Sequence, residues 1–360
     1  MAKVRFLSIP FLILFLSIAI DRIITLDFFQ DYYSKTLSHL NFLNKPELYE
    51  DLKEYLRKDP KERKKVLVFL GNSRSLMFPV EQLAEKNPEW ILYNFSVPGG
   101  TPDYFHYWVE KIESDGLRPD FVVIDQSIEV FNKTPILGLD EVLVYGIPIS
   151  FMIRHWNYYS TSDWSTVISK GLFHTYRDRP KLAVILDRMK NHSELANMYH
   201  NAKDVIVTNL RLEKGSYSSD INMKKALAYD LLLKRSESDF LSYMSPYTFY
   251  SEMMDMQKES IRILKKQNIP YATIWVRVSR PYYKLYSSKI VQTQEGMKSP
   301  QEVWMPLLEQ FNRETGTILW NMNEEPNYNC DSFSDPGHMS PGCFYDYGEY
   351  VFKKLNETLK

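Results

Sequence analysis

The sequence predicts an α/β protein: three layers, α/β/α, around a mainly parallel five-stranded sheet, with a mostly helical insertion. Three observations predict this class. Short continuous apolar runs, the pattern of strands buried on both faces, recur along residues 66–360. Stretches of helical periodicity separate them, which argues for a parallel sheet covered on both faces. One long tract, about 130–245, breaks the rhythm; it is rich in Tyr, Trp, His, Lys and Asp and has little strand character after Val144.

Taken in order, Val66-Leu67-Val68-Phe69-Leu70 is the first strand, ended by Gly71. Residues 75–86 follow as a helix, Trp90 to Phe95 as a second strand and 101–115 as a second helix. Phe121-Val122-Val123-Ile124 is the third strand, introduced by Arg118-Pro119. The helical insertion comes next and is expected to lie over the carboxyl ends of the strands, where open α/β sheets bind ligands. A helix over 247–267, a strand over Tyr271 to Val276, a helix over 300–313 and a strand over Thr317 to Trp320 complete the alternation. A last helix from about Tyr345 closes the chain.

The first 26 residues read as a signal anchor or signal peptide. Lys3 and Arg5 precede the apolar run Phe6 to Ile20, which Asp21 and Arg22 end. A run of about 15 residues is short of the ~20 that span a bilayer. Extending it through Ile23, Ile24 and Leu26 requires Asp21 and Arg22 to reach an interface. Ser17-Ile18-Ala19 offers small residues to a peptidase, so cleavage stays open, with the uncleaved anchor favoured. The plain alternative is a buried N-terminal helix. On the anchor reading, the body is inner-membrane anchored and lies in the periplasm or extracytoplasmic space. Residues 27–65 are expected to form a juxtamembrane helical stalk. Leu48, Leu52, Tyr55 and Leu56 recur at helical spacing, Pro60 stops them, and Lys61 to Lys65 read as a solvated linker.

Composition narrows the function classes. A total of 44 basic against 45 acidic residues leaves no global field to attract nucleic acid. Two cysteines exclude a disulfide scaffold and a four-thiolate zinc site. At 44% hydrophobic and 25% charged, the chain is neither disordered nor a polytopic membrane protein. His39, His106, His155, His174, His192 and His200 show no metal-ligand spacing. No metal and no cofactor are expected.

Three loops carry the chemistry. Gly71-Asn72-Ser73-Arg74-Ser75 follows the first strand. A serine at such a turn exposes its hydroxyl at the sheet rim, and its own N–H lies at a helix start, where negative charge is favoured. Alone, a Gly-x-Ser at this position is usually an N-cap, and serine needs a base to act as a nucleophile. Asp335-Pro336-Gly337-His338 lies in a loop near the C-terminus. Its histidine can take the serine proton, and an aspartate three residues earlier can hold the other ring nitrogen. Asn94-Phe95-Ser96-Val97-Pro98-Gly99-Gly100-Thr101 follows the second strand, where a glycine lets a backbone N–H approach a substrate oxygen. All three loops follow strands, which in a parallel sheet share one edge. Cys330 and Cys343 bracket the Asp-x-x-His loop; in an oxidising compartment they would pair and hold it, with two free thiols as the alternative.

In kind and chain order these segments resemble the blocks of the SGNH (GDSL-like) hydrolase superfamily, over about 66–360 less the insertion. Gly71-Asn72-Ser73 matches block one, which usually reads Gly-Asp-Ser. Asn94, Gly99 and Thr101 match block two. Asp335 and His338 match block five. The resemblance implies a flavodoxin-like fold, Ser73, Asp335 and His338 as catalytic residues, and the N–H groups of Ser73 and Gly99 as the oxyanion hole. Asn72, Arg74 and Gly100 become weaker substrate-binding candidates. The block-three asparagine has no match; Gln126, Ser127 or Asn132 are substitutes between which spacing does not choose.

The anchor and reduced blocks look like the membrane-anchored and periplasmic branches of that superfamily, such as the alginate and D-alanyl-lipoteichoic acid O-acylation proteins. By that resemblance the expected function is a serine esterase or O-acyltransferase acting through an acyl-serine. Its substrate would be an acylated cell-envelope glycan or lipid, with an envelope acyltransferase as partner. The alternative is a catalytically degenerate scaffold that binds or assembles envelope components. A phosphate-binding reading of the Gly71 turn lacks a Walker lysine and an acidic metal cluster.

Overall fold

A computed structural model describes residues 2–33, 37–133, 139–217 and 225–360, without the side chains of residues 2–8, 27, 28, 30, 192–196 and 199. Lys3, Arg5 and His192 therefore lie outside the described side chains, and parts of the expected stalk and insertion (34–36, 134–138, 218–224) lie outside the described residues.

The strands are β1 (Lys65–Leu70), β2 (Trp90–Asn94), β3 (Phe121–Asp125), β4 (Tyr271–Trp275), β5 (Val291–Thr293), β6 (Gly296–Lys298), β7 (Leu319–Asn321), β8 (Phe333–Asp335) and β9 (His338–Met339). Five of them form one sheet in the order β2-β1-β3-β4-β7, with every neighbour parallel. The β5–β6 and β8–β9 pairs are small antiparallel hairpins.

Side chains alternate across a strand, so a strand buried on both faces feeds two cores. Val66, Val68, Leu70, Val122 and Ile124 join the core with the helices Pro102–Ser114, Ser251–Lys266 and Pro300–Thr315. Leu67, Phe69, Phe121, Val123, Ala272 and Ile274 join the core with the helices Val80–Lys86 and Pro341–Thr358. That is the expected α/β/α sandwich. The described part of the insertion is mainly helical, with helices at Ile149–Arg154, Thr161–Leu172, Leu182–Lys190, His192–Leu212 and Tyr229–Met244.

Several expectations are corrected. Residues 75–86 are not one helix: a 3-10 turn covers Ser73–Ser75 and the α-helix begins at Val80. Pro79 accounts for the delay, because a proline pushes the residue before it out of helical geometry. The last helix begins at Pro341 rather than near Tyr345, with proline in its first turn. Of the expected stalk, the helix Lys45–Leu56 packs on the body. Within it, Leu48, Tyr49 and Leu52 are buried in the sandwich core. Burying three such side chains is worth on the order of 5 kcal/mol, enough to hold the helix against the body. The charged run is not simply solvated either. Lys65 belongs to β1, and the buried Arg63 donates to Asp120 Oδ2 at 2.6 Å.

The N-terminal helix, Ala2–Ile24, exposes Phe11, Leu12, Phe15 and Ile20. Among the described residues, no helix is long and apolar enough to cross a membrane. Asp21, at the end of the expected apolar run, is buried and accepts from the amides of His174 at 2.7 Å and Thr175 at 2.9 Å. Arg22 donates to Gly171 O at 2.8 Å. The two charges that interrupt the run thus fasten this helix to the insertion.

Lys45 is fully buried, and its Nζ donates to Asn94 O at 2.8 Å and Gly215 O at 3.3 Å. Burial pushes its amine down to about 7 from 10.5. Between those values the unfolded chain holds the proton and the native chain does not, so this lysine makes stability rise with pH across that window. In denaturant titrations, wild type should gain on Lys45→Met by on the order of 2 kcal/mol between pH 6 and pH 9. A gap independent of pH would show that the lysine is not desolvated.

Candidate active site

The loops after β1, β2 and β3 meet at the carboxyl edge of the sheet. The chain crosses from β1 to β2 on one side and returns to β3 on the other, and open α/β sheets form their ligand crevice at such a reversal. Ser73 opens the turn just after β1, where the first amides of a helical turn have no intrahelical partner. Asn72 caps that turn, its Oδ1 accepting from the Arg74 amide at 2.9 Å.

The C-terminal hairpin reaches the same edge. Asp335 pairs with His338 across the two-residue turn Pro336-Gly337. Asp335 Oδ1 accepts from the amides of Gly337 at 2.8 Å and His338 at 2.9 Å. Both carboxylate oxygens lie 2.8 Å from His338 Nδ1. On the far side of the ring, His338 Nε2 is 2.7 Å from Ser73 Oγ, although the two residues are 265 positions apart. An ionised carboxylate only accepts, so Nδ1 carries the proton. Nε2 is then left to accept from the serine hydroxyl. Burial works against the Asp335 charge, but the facing His338 and the two amides outweigh it and hold the carboxyl below its ordinary range.

The block-two loop is built around Asn94. Its Nδ2 donates to Ser75 O at 2.7 Å and its Oδ1 accepts from the Ser96 amide at 3.0 Å, tying the loop after β2 to the turn after β1. Gly99, at φ +63°, lines the cavity in front of Ser73. Gly100 does not. A Cβ there would sit 2.5 Å from Gly71 O, so this glycine serves the close approach of two backbones rather than substrate contact.

Arg74 is held by partners within the protein. It is buried, its Nη1 donates to Glu129 Oε2 at 2.9 Å, and its Nη2 donates to Glu129 Oε1. Its Nε donates to Gly337 O at 3.0 Å, between the two residues of the Asp335–His338 pair. Tyr286 OH donates to the same Glu129. For Glu129, burial raises the carboxyl, but the Arg74 charge and hydrogen bonds outweigh it and lower it below the ordinary range. Arg74 thus latches the histidine hairpin, and it also lines the cavity beside Ser73.

The cavity has a volume of about 430 Å³. Ser73, Gly99, Asp335 and His338 line it, and so does Asn72. None of Gln126, Ser127 and Asn132 does. Gln126 accepts from Gln257 at 3.2 Å, Ser127 is fully buried, and Asn132 Nδ2 donates to the carbonyls of Tyr243 and Pro246 at 2.9 and 3.0 Å. Of the two side-chain protons on Asn72 Nδ2, one is directed to Asp125 Oδ1 at 3.4 Å. Burial raises that Asp125 carboxyl to about 6.

Sequence reasoning missed the roof. Arg235, Ser238, Asp239 and Tyr243 of the helix Tyr229–Met244 line the cavity. The signal was an apolar stripe, Leu232, Phe240 and Met244, with a polar stripe beside it. Cys330 and Cys343 are disulfide-bonded and enclose the hairpin. A loop of that size is worth about 3 kcal/mol in the chain-entropy model.

Fold and site define a three-layer α/β/α protein with a serine–histidine–aspartate hydrogen-bond chain at the carboxyl edge of a parallel sheet. Within that class the chain belongs to the DUF1574 family, described as "Protein of unknown function (DUF1574)", which it matches over residues 1–355. No curated protein matches it. A crystal structure described as a possible lipase from Chitinophaga pinensis DSM 2588 is similar at 15% identity, over 81% of this chain and 98% of that one, with a TM-score of 0.25. Similarity at that score carries no argument about activity.

Removing Arg74 would leave Glu129 charged and buried. Arg74→Met should lower stability by about 3–5 kcal/mol, and adding Glu129→Gln should restore part of it. Thermal denaturation of the two variants checks this; a loss below about 1 kcal/mol for Arg74→Met would show that the pair is not structural.

Proposed function

We propose that the chain is a serine ester hydrolase or O-acyltransferase that acts on a short acyl ester of a hydroxylated, glycan-like substrate. The observation that carries the proposal is the hydrogen-bond chain from Ser73 Oγ through His338 to Asp335, at 2.7 and 2.8 Å. In the proposed reaction, His338 Nε2 takes the Ser73 proton while Oγ attacks the ester carbonyl carbon. The N–H groups of Ser73 and Gly99 hold the oxyanion, and the Asn72 amide stands in for the missing block-three asparagine. The tetrahedral adduct collapses, the C–O bond to the alcohol breaks, and the departing oxygen takes the proton from His338. Water or a second sugar hydroxyl then resolves the acyl-serine by the reverse proton path. Water makes an esterase; a hydroxyl acceptor makes a transferase.

The cavity lining supports the substrate class. Val130 is the one aliphatic side chain among the described lining residues, and the rings of Tyr243 and Tyr282 supply further apolar faces, a lining that suits a short acyl group beside a sugar ring. Arg235, Ser238, Asp239 and Tyr243 offer the donors and acceptors that sugar hydroxyls pair with. The exposed apolar helix Ala2–Ile24 supports placing the chain at a membrane, acting on envelope material with an acyltransferase partner. The second reading, a non-catalytic scaffold, draws on the fact that none of Gln126, Ser127 and Asn132 reaches the cavity.

Hydrolysis of nitrophenyl esters of graded acyl length tests the proposal. The acetyl ester should be turned over at least tenfold faster than the octanoyl ester. Ser73→Ala and His338→Ala should each lower kcat by at least about 10³, and Asn72→Ala by roughly 10². Turnover unchanged in Ser73→Ala would favour the scaffold, and preference for the octanoyl ester would rule out the short-acyl assignment.

A further inference from the structure

A second cluster lies outside the cavity, between the helix Pro102–Ser114 and the first helices of the insertion. His106 and Glu110 stand one turn apart on that helix, and His155 follows the helix Ile149–Arg154. His155 Nε2 lies 2.7 Å and His106 Nε2 3.4 Å from the same oxygen, Glu110 Oε1. One ligand atom from each of the three residues falls within 4.8 Å of the other two. Donors about 2.0 Å from a tetrahedral ion sit roughly 3.3 Å apart, so these separations bracket those of a bound site.

The surroundings prepare these atoms as ligands. Ser260 Oγ donates to Met256 O at 3.1 Å and lies 3.0 Å from His106 Nδ1, placed to accept when that nitrogen carries the ring proton. In that tautomer the lone pair of Nε2 faces Glu110, the arrangement in which a ligating histidine is held by a hydrogen bond from its other nitrogen. The second Glu110 oxygen accepts from Arg154 Nη2 at 2.9 Å, which orients the carboxylate and leaves Oε1 to the histidines. Arg154 is exposed and its charge can swing away. His106 is 3% exposed and packs against the Phe151 ring, as does His155. Glu110 and His155 remain partly open to solvent, which provides an entry path.

We propose that His106, Glu110 and His155 form a binding site for a divalent first-row cation of the zinc type, stapling the insertion to the helix layer of the sheet. Two imidazoles and one carboxylate are a donor set that zinc accepts, with solvent in the fourth position. Binding replaces the hydrogen bond between His155 Nε2 and Glu110, and the neutral His155 ring keeps its one proton on Nδ1 while the Nε2 lone pair takes the cation. The inference does not depend on the esterase proposal, because the cation bridges two helices and touches none of the cavity residues.

The test is calorimetric titration of the full, tag-free chain with zinc chloride, with thermal denaturation in parallel. One ion per chain should bind at micromolar affinity or tighter at pH 7.5 and raise Tm. Glu110→Gln and His155→Ala should each weaken binding at least tenfold, Ser260→Ala should weaken it about tenfold or more, and Arg154→Ala should retain it. His155 lies near the surface, and Glu110→Gln keeps the side-chain shape, so both variants are expected to fold. No saturable binding by wild type, or binding unaltered in both Glu110→Gln and His155→Ala, would overturn the proposal in favour of a proton-linked ion cluster.

Discussion

The buried ion pair between Arg74 and Glu129 holds the site together. Arg74 is the neighbour of Ser73, Glu129 belongs to the segment after β3, and the carbonyl that Arg74 Nε grips is that of Gly337. Three stretches far apart in sequence are thereby drawn to one point. Two charges taken out of water must satisfy each other, and with both Nη atoms on Glu129 the remaining Arg74 donor, Nε, is aimed at the hairpin carbonyl. The Ser73–His338 distance is a consequence of that arrangement. Tyr286 OH donates to the same Glu129, and the Cys330–Cys343 bridge encloses the hairpin.

The parallel sheet supplies the other constraint. Because β1, β2 and β3 run in one direction, the loops that follow them open on one edge, and each brings a different polar group there. Asn94 shows how little freedom is left. With its amide bonded to the turn after β1 and its carbonyl oxygen bonded to its own loop, Gly99 is carried to the cavity rim. The insertion adds a polar roof through one face of the helix Tyr229–Met244, and its far side meets the N-terminal helix through Asp21 and Arg22. The same chain segment thus shapes the substrate space and faces the most apolar surface of the molecule.

The strands were legible because a doubly buried strand reads as an unbroken apolar run, as Val66 to Leu70 does. Ser73, Gly99, Asp335 and His338 were legible because turn chemistry is local: a glycine or proline beside each announces the turn. What was not legible depends on partners distant in sequence. Arg74 reads as a loop cation until Glu129 is placed beside it. Leu48 and Leu52 read as part of a stalk because nothing in a helical stripe names the surface it covers. His106 lies on the helix Pro102–Ser114 and His155 just past the helix Ile149–Arg154, so no spacing rule joins them. The polar stripe of Arg235, Asp239 and Tyr243 looks like any solvated helix face until a cavity is found beneath it.

The account rests on Ser73 being a nucleophile activated by His338. Treatment of the folded full chain with a fluorophosphonate, followed by intact mass and peptide mapping, tests this most directly. The account predicts a single covalent adduct on Ser73 that is absent in Ser73→Ala and strongly slowed in His338→Ala. No adduct on the folded wild type, or an adduct that persists in Ser73→Ala, would contradict it.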